Sequence, residues 1–271
     1  MYFLVCALVF IAAYLVNSVY MTVFYHRGLC HNAVTLSPRM RRFVISTGNW
    51  VTSLDPKGWV CMHRMHHEFS DTVDDPHSPT NSSILGVFRA QHKSYERVLV
   101  GLYRNDPHFT DHVNDLDFPV HWLNTKRLWL LPLALHVTIG ASVGVIWGMP
   151  LLGACYFLGL MCHPIQGWLV NSFGHSQGPR NFDTPDDSRN NAWVAWLIVG
   201  EGLQNNHHAH PASAKFSYAP GEVDMGYWFC KILQSLGALE INQRTLIPEH
   251  GTPPLPKLQA PIEDKRERDA A

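Results

Sequence analysis

Residues 1–24, MYFLVCALVFIAAYLVNSVYMTVF, contain no charged side chain and are long enough to cross a bilayer as one α-helix. A cleaved signal peptide is the alternative interpretation. It would need a basic start and a small-residue cleavage site, and the stretch has neither. The stretch also runs directly into YHRGLCH at residues 25–31, so cleavage would fall beside a pair of histidines. We therefore predict a retained transmembrane helix.

A second uncharged stretch runs from Leu128 to Pro179 and is too long for a single crossing. The tripeptide Gly148–Pro150 is a natural breakpoint, which predicts a hairpin of two membrane helices at about Leu128–Trp147 and Leu151–Phe173. With the first helix this makes about three transmembrane helices. We expect an all-α integral membrane bundle with a cytoplasmic helical cap.

Two shorter apolar runs, Phe43–Leu54 and Ala192–Val199, cannot span a bilayer and suit helices at its interface or in the cap. The whole chain is interpreted as one domain. Its parts are the helix at 1–24, a cytoplasmic region at 25–127, the hairpin at 128–173, a second cytoplasmic region at 174–250 and a Pro-rich tail at 251–271 that we expect to be flexible.

Charge around the apolar stretches predicts the orientation of this multi-pass protein. Arg39–Arg42 (RMRR) follows the first helix, Lys126 and Arg127 precede the second, and the Gly148–Pro150 turn carries no charge. The positive-inside rule then places the N-terminus outside and the remaining regions in the cytoplasm, in a bacterial inner membrane or the endoplasmic reticulum. All histidine groups described below fall on the cytoplasmic side.

Composition excludes few partners on its own. The net charge is −1, and no basic stripe indicates nucleic acid. The six cysteines are scattered without a C-x-x-C pair, so we interpret them as reduced and structural. His136 and His163 lie within predicted membrane helices, where packing or a hydrogen bond across helices is favoured over a proton relay.

The first histidine group is HRGLCH, in which His26 and His31 are five residues apart. Five residues turn an α-helix by about 140° beyond a full turn, so the two rings would diverge on a straight helix. They can converge only if the helix ends or unwinds between them. Gly28 supplies a suitable break.

The second group, HRMHH, places His63, His66 and His67 at positions i, i+3 and i+4. On a helix His66 and His67 lie on either side of the face that carries His63. Such a triad can supply ligands to two adjacent metal ions from one helix.

Two further groups come later in the chain. Asn171 and His175 lie one turn apart in WLVNSFGH, at the cytoplasmic end of the last predicted membrane helix. The stretch GEGLQNNHHAH repeats the i, i+3, i+4 spacing with Gln204, His207 and His208. A glutamine thus stands where the symmetry of the two boxes predicts a histidine.

Eight clustered histidines imply two metal ions, because one ion takes about four to six ligands. Imidazole suits iron, zinc, copper or nickel, and structural zinc sites tend to be rich in cysteine. A redox pair of irons is the better interpretation. Acidic partners that orient the rings and offset the charge are then expected, and the candidates are Asp71, Asp74, Asp75 and Glu201.

The segments YHRGLCH…TLSPRMRRF, HRMHHEFSDTVDDPHSP, WLVNSFGH and GEGLQNNHHA resemble the histidine boxes of the membrane-bound fatty acid desaturases, in that family's order. They are most similar to the Δ9 acyl-CoA (stearoyl-CoA) type. The resemblance covers about Tyr14 to Leu239.

The resemblance implies a cytoplasmic di-iron centre held almost entirely by histidines. Such enzymes use O2 and two electrons to place a cis double bond, in this type at Δ9, in a saturated acyl chain. Asn171 matches the family asparagine that reaches a metal through water. The implied histidine ligands are His26, His31, His63, His66, His67, His175, His207 and His208.

The resemblance also implies a bent, apolar tunnel for the acyl chain that ends within the bilayer. Phe10 and Tyr14, one turn apart on the first helix, are candidates for setting the chain length, and core packing is the alternative. The substrate carrier stays open between CoA, a carrier protein and a membrane lipid. A separate electron donor such as cytochrome b5 or ferredoxin is implied, because no fused donor domain is visible.

Two competing functions stay open. A hydroxylase or related oxygenase could use the same di-iron scaffold, because both reactions begin with hydrogen abstraction. A metal transporter or metal-binding membrane protein is disfavoured, because transport sites lie near the bilayer midplane and these boxes lie at helix ends.

The sequence departs from the family pattern at two points. The family usually has two membrane helices before the first box, and here one precedes it. Gln204 occupies a position that is histidine in most Δ9 enzymes. Its oxygen could bind an iron directly or through water, the position could stay open, or His210 could compensate.

Overall fold

The computed structural model describes residues 1–248, and these fold mainly into helices. The tail at 251–271 that we predict to be flexible lies outside the described residues. The helices are α1 (Tyr2–Ser18, continued by a π-helical segment, Val19–Cys30), α2 (Pro38–Thr52), α3 (Pro56–Phe69), α4 (Pro79–Ser82), α5 (Ile84–Tyr103), α6 (Pro107–Thr110), α7 (Trp122–Thr125), α8 (Leu131–Ile146), α9 (Pro150–Leu160), α10 (His163–Phe173), α11 (Ala192–Leu197), α12 (Gln204–Ala209) and α13 (Met225–Ser235), with 3-10 turns at Asp111–Val113 and Gln243–Thr245.

The described residues are mainly helical, as the all-α prediction expects, and two short strands pair in addition. Strand β1 (Val34–Leu36) runs antiparallel to β2 (Leu239–Ile241), with Leu36 opposite Leu239. Both leucines are buried, so burial of alternate apolar side chains stabilises the pair. The strands join the segment after the first histidine pair to the end of the described chain.

The first apolar stretch is one continuous helix from Tyr2 to Cys30, longer than the predicted 1–24, with a mean hydropathy of 2.2 in its membrane-length window. Apolar side chains such as Phe3 and Leu4 are exposed on it, as expected of a helix surrounded by lipid. No other helix in the described part of the chain is both long and apolar enough to cross a membrane. The predicted number of three crossings is therefore not confirmed.

The predicted second helix of the hairpin is interrupted. α8 has 16 residues, α9 has only 11, and α9 ends at Leu160 before α10 begins at His163. The cause is Pro164, which has no N–H to donate to the carbonyl of Leu160 four residues earlier. Asn17 Nδ2 of α1 donates to that carbonyl instead, at 2.8 Å. The prediction of one helix over Leu151–Phe173 is therefore wrong.

Helices α9 and α1 pack closely against each other and run parallel. A Cβ atom at Gly159 would lie 2.6 Å from the carbonyl oxygen of Phe10 and 3.1 Å from the backbone nitrogen of Tyr14. Further along both helices, Leu160 lies beside Asn17. The two helices therefore lead towards the same end of the molecule, where the first and third histidine groups follow.

His136 on α8 has a hydrogen-bond partner at each ring nitrogen. Nδ1 lies 2.7 Å from the Tyr156 hydroxyl of α9, and Nε2 lies 2.8 Å from the Trp50 carbonyl of α2. Because a carbonyl only accepts, Nε2 carries the proton and Nδ1 accepts from the tyrosine. The predicted hydrogen bond across helices is confirmed for this histidine.

Both short apolar runs form helices, α2 and α11. Phe43 on α2 and both tryptophans of α11, Trp193 and Trp196, are exposed. Aromatic side chains of this kind are typical of the membrane–water interface. The interfacial placement of the two helices stays a prediction.

We expect Gly140→Val to separate α8 from α9. A Cβ atom at Gly140 would lie 2.8 Å from the carbonyl oxygen of Gly153, so the helices must move apart, at a cost of about 1–3 kcal/mol. Thermal unfolding in detergent measures the loss. Ala141→Val, on the exposed face one residue away, is the matched control, and an equal melting temperature for both variants would contradict the packing argument.

Candidate metal centre

The first histidine pair converges because the helix widens. His31 N donates to His26 O at 3.1 Å, five residues back, and the segment Val19–Cys30 is π-helical throughout. Winding with i→i+5 hydrogen bonds brings residues five apart onto one face, and the two ring centroids lie 5.0 Å apart. Convergence occurs as expected, but the predicted break at Gly28 is wrong, because the helix continues through that residue.

Helix α3 carries the second group. Asp55 caps its start by accepting from Gly58 N, and Pro56 occupies the first turn. Trp59 stacks on His63, with centroids 4.9 Å apart and an angle of 10° between the ring planes, and so fixes the plane of that imidazole.

Five histidines form one cluster, in which one ring nitrogen of each lies within 4.8 Å of all the others. We call this the five-histidine cluster: His26, His31, His63, His67 and His207. The distances between Nε2 atoms are 2.9 Å for His26–His207, 2.9 Å for His67–His207, 3.0 Å for His31–His63 and 3.1 Å for His63–His67.

These distances are those expected between neighbouring nitrogen ligands of one metal ion. Nitrogen ligands about 2.0–2.1 Å from a metal ion and roughly 90° apart are separated by about 3 Å. Each neutral imidazole can turn one lone pair towards such a point, and a cation would accept all five. The cluster fits one metal ion.

His66, His175 and His208 form a second group with ligand atoms within 4.8 Å of one another, which we call the three-histidine cluster. All three Nε2 atoms are buried and have no hydrogen-bond partner among residues 1–248. Buried polar atoms are almost always paired, because leaving them unpaired costs free energy. A metal ion would accept these three lone pairs, so this cluster also fits a metal.

The two clusters adjoin. His66 and His67 are consecutive on α3 and belong to different clusters, and the rings of His67 and His208 stack with centroids 4.4 Å apart. Helix α3 therefore faces both clusters, which is the arrangement that the HRMHH spacing predicts.

Carboxylates hold the far side of the rings in the three-histidine cluster. Asp75 lies 3.0 Å from His66 Nδ1 and Asp71 lies 2.8 Å from His175 Nδ1. Each contact keeps the proton on Nδ1 and leaves the Nε2 lone pair facing the cluster. Among the described residues Asp74 makes no such contact, and its side chain is exposed.

Asp186 holds the third ring and was not among the predicted residues. Its carboxylate lies 2.6 Å from His208 Nδ1, and it also accepts from Ser188 N at 3.1 Å. It belongs to a loop with Asp183 and Asp187 nearby, and spacing alone does not distinguish these three acids. His77 was also missed: it is buried and stacks on His66 at 4.8 Å, and the DPH tripeptide is its only signal.

Glu201 is the acidic partner of the five-histidine cluster. Its carboxylate lies 2.6 Å from His26 Nδ1 and 2.6 Å from Arg27 Nη1. Burial alone would raise the pKa of Glu201, but His26 and Arg27 lower it to about 2. The carboxylate is therefore ionised at any physiological pH.

Burial sets the charge state of the histidines. Together with repulsion from neighbouring imidazoles, it lowers the pKa of His31, His63, His67 and His207 well below the ordinary value. Burial likewise lowers the pKa of His208 to about 4, although Asp186 opposes this. These rings are neutral near pH 7, which is the form that binds metal.

Gln204 lies beside the three-histidine cluster. It is 2% exposed, and a Cβ atom at Gly174, next to His175, would lie 2.6 Å from its Cγ. Its Nε2 donates to the Glu201 carbonyl at 2.8 Å. This bond leaves Oε1 as the atom that can act as a ligand. Asn171 is half-buried on α10, one turn before His175.

The remaining sequence candidates lie away from the ring nitrogens. His210 belongs to neither cluster, and its ring packs on Phe182 with centroids 4.8 Å apart, which argues against compensation for Gln204. Phe10 stacks on Tyr14, and the Tyr14 hydroxyl donates to the carbonyl of Leu197 in α11. A role of this pair in chain length stays a prediction.

The metal-free protein should lose stability as the pH falls below about 6.5, the ordinary histidine pKa. The unfolded chain takes up protons there while the buried rings stay neutral, so stability is present above this pH and is lost below it. Each such ring contributes up to about 1.4 kcal/mol per pH unit. Melting temperatures of chelator-treated protein between pH 7.5 and 5.5 measure the effect. His67→Gln should flatten the profile and the exposed His92→Ala should not; a flat wild-type profile would contradict the burial of neutral rings.

Comparison with known proteins agrees with this geometry. Residues 2–220 match the family model for fatty acid desaturases. An acyl-CoA 5-desaturase of Anemone leveillei is 33% identical over 224 residues, which cover 80% of this chain and 64% of the relative. The chloroplastic palmitoyl-monogalactosyldiacylglycerol delta-7 desaturase of Arabidopsis thaliana is also 33% identical, over 80% of this chain and 56% of its own length.

A delta-9 desaturase-like protein of Arabidopsis thaliana is 28% identical, over 80% of this chain and 69% of the relative. The chain thus spans 56–69% of the length of these three relatives. Both histidine clusters fall within the residues matched by the family model. The chain therefore belongs to the fatty acid desaturase family.

Proposed function

We propose that this chain is an O2-dependent fatty acyl desaturase with a di-iron centre that introduces a cis double bond, at Δ9, into a saturated acyl chain. The observation that carries the proposal is the pair of adjoining histidine clusters whose Nε2 atoms converge in two groups. A desaturase needs two closely spaced redox metals beside the acyl chain, and the two groups supply ligands for such a pair.

The residues divide between two ion positions. The five-histidine cluster would hold one iron. The three-histidine cluster would hold the other, with Gln204 Oε1 as a further ligand and Asn171 reaching it through water. Bound at these positions, two irons supply the redox chemistry by which O2, two electrons and two protons take two hydrogens from an acyl chain, leaving a double bond and two water molecules.

The protein contributes orientation and exclusion of water. Four carboxylates hold Nδ1 protons so that the ring lone pairs face inward: Asp71, Asp75, Asp186 and Glu201. His66, His175 and His207 are at most 3% exposed. A buried centre keeps a strong oxidant from bulk water and confines it to the acyl carbons placed beside it.

The membrane placement is part of the proposal. Helix α1 would cross the bilayer with its N-terminus outside, and the clusters and the C-terminal part would lie on the cytoplasmic side. The substrate is a fatty acyl group, and because the names of relatives include both an acyl-CoA and a galactolipid desaturase, the test must sample both carriers. Electrons come from a separate carrier of the cytochrome b5 or ferredoxin type.

Expression in a host that lacks unsaturated fatty acids tests the function. We expect new monounsaturated chains with the double bond at Δ9, located by mass spectrometry of CoA esters and of lipids, and about two irons per purified chain. His63→Ala should abolish the product, while His92→Ala, at an exposed site on α5, should not. A product that gains oxygen in place of a double bond would establish the hydroxylase alternative.

Gln204→Ala should lower both activity and the iron bound per chain, because the three-histidine cluster loses its oxygen ligand. Gln204→His should preserve both, since a ring nitrogen replaces the amide oxygen. His210→Ala, at the opposite end of α12 and outside both clusters, is the control and should retain activity. Full activity and iron content in Gln204→Ala would remove Gln204 from the ligand set.

A further inference from the structure

Carboxylates are shared unequally between the two histidine clusters. Each ring of the three-histidine cluster has its own carboxylate at Nδ1, from Asp71, Asp75 or Asp186. In the five-histidine cluster only His26 has one, from Glu201, among the described residues. His207 Nδ1 of that cluster is buried and has no hydrogen-bond partner in the described part of the chain.

Apart from the histidines, the carboxylates of the three-histidine cluster accept hydrogen bonds from neutral donors. Asp71 accepts from Ser78 Oγ at 2.6 Å and from Asp187 N at 2.9 Å. Asp75 accepts from His77 N at 2.9 Å. Asp186 accepts from Ser188 N at 3.1 Å and from Thr184 Oγ1 at 2.7 Å. Within residues 1–248 no lysine or arginine forms an ion pair with the three carboxylates, and Arg180 donates to the backbone carbonyl of Asp186, at 2.6 Å, rather than to its carboxylate.

Arg27 offsets one of the two carboxylates that lie on the side of the five-histidine cluster. Its side chain is fully buried, and Nη1 lies 2.6 Å from Glu201 while Nη2 lies 3.0 Å from Asp224. The guanidinium group also lies 3.7 Å from the centre of the Phe216 ring, which packs on His207. Two carboxylates and one guanidinium group thus lie beside the five-histidine cluster, whereas three carboxylates that form no ion pair with a described lysine or arginine lie beside the three-histidine cluster.

We propose that the two clusters are electrostatically unequal and that the three-histidine cluster is the position that holds the higher positive charge. The inference rests on the proposed di-iron function and deepens it. Three carboxylates at the far side of the ligand rings stabilise an added positive charge, and buried charges interact strongly because little water screens them. In a half-oxidised protein the ferric ion therefore occupies the three-histidine cluster and the ferrous ion the five-histidine cluster.

Stepwise oxidation of the iron-loaded protein tests the inference. Full-length protein loaded with 57Fe(II) without oxygen is treated with ferricyanide, which takes one electron from one ferrous ion per equivalent, and is followed by Mössbauer spectroscopy. We expect one ferrous signal to disappear almost completely before the other. Two signals that disappear in parallel would overturn the proposal.

Substitutions of the carboxylates show which cluster holds the iron that is oxidised first. Asp186→Asn keeps an acceptor for His208 Nδ1 but removes one charge, so the equilibrium constant for the first oxidation should fall about tenfold, a shift of about 59 mV. Asp71→Asn should act in the same direction. Asp74→Asn, which removes the same charge from an exposed side chain nearby, should change nothing. If Glu201→Gln shifts the first oxidation and neither aspartate variant does, the assignment is wrong.

If a variant does not bind iron, the charge preference of its two metal positions can be measured with redox-inert ions instead. Wild-type protein loaded with Zn2+ and then exposed to Ga3+, a redox-inert trivalent ion, should exchange one zinc per chain, and Asp71→Asn should lower the exchange about tenfold. Equal exchange at both positions would overturn the proposal. Failure of the proposed function would instead appear as missing iron or missing product, so the two failures are distinguishable.

Discussion

Eight imidazoles with their Nε2 lone pairs turned towards two points are the constraint on which the rest of the structure depends. Nitrogen atoms about 3 Å apart repel one another unless a cation or a proton lies between them, and burial keeps most of these rings neutral. The surrounding structure therefore has to hold each ring against that repulsion. Carboxylates at Nδ1 do this for His26, His66, His175 and His208, and stacking of Trp59 does it for His63.

Backbone irregularities bring the ligands within reach. The π-helical winding of Val19–Cys30 places His26 and His31 on one face, and the interruption between α9 and α10 sets the start of the helix that leads to His175. The second irregularity needs compensation, which Asn17 provides by donating to the carbonyl that Pro164 leaves without a partner. Each departure from regular α-helix lies in a segment that continues from an apolar stretch to a histidine group.

The sequence predicts best what depends on local geometry. Helical spacing predicts that His66 and His67 lie on either side of the face that carries His63 and so can serve two metal ions. The grouping of His63 with His67 comes from the structure. Pro164 is also a local signal. It indicates the interruption of the second hairpin helix, which our sequence analysis did not predict. The long first helix followed directly from its lack of charge.

What could not be predicted depends on contacts between distant segments. The choice of Asp186 over Asp183 or Asp187 is made by the fold of a loop that no periodicity describes, and the exposure of Asp74 beside buried Asp75 is decided by a turn. The π-helical winding is held by tertiary contacts such as Arg27 with Glu201 and Asp224, which lie 174 and 197 residues away along the chain. The spacing of residues within a motif gives no information about contacts between residues so far apart in the chain.

The central claim is that two irons are held by this histidine-rich ligand set, and iron-edge X-ray absorption of the iron-loaded protein tests it most directly. The account predicts about two irons per chain, a first shell of nitrogen and oxygen atoms at about 2.1 Å, and the outer-shell scattering of several imidazoles. A sulfur shell at about 2.3 Å, or a single iron per chain with few imidazoles, would contradict it.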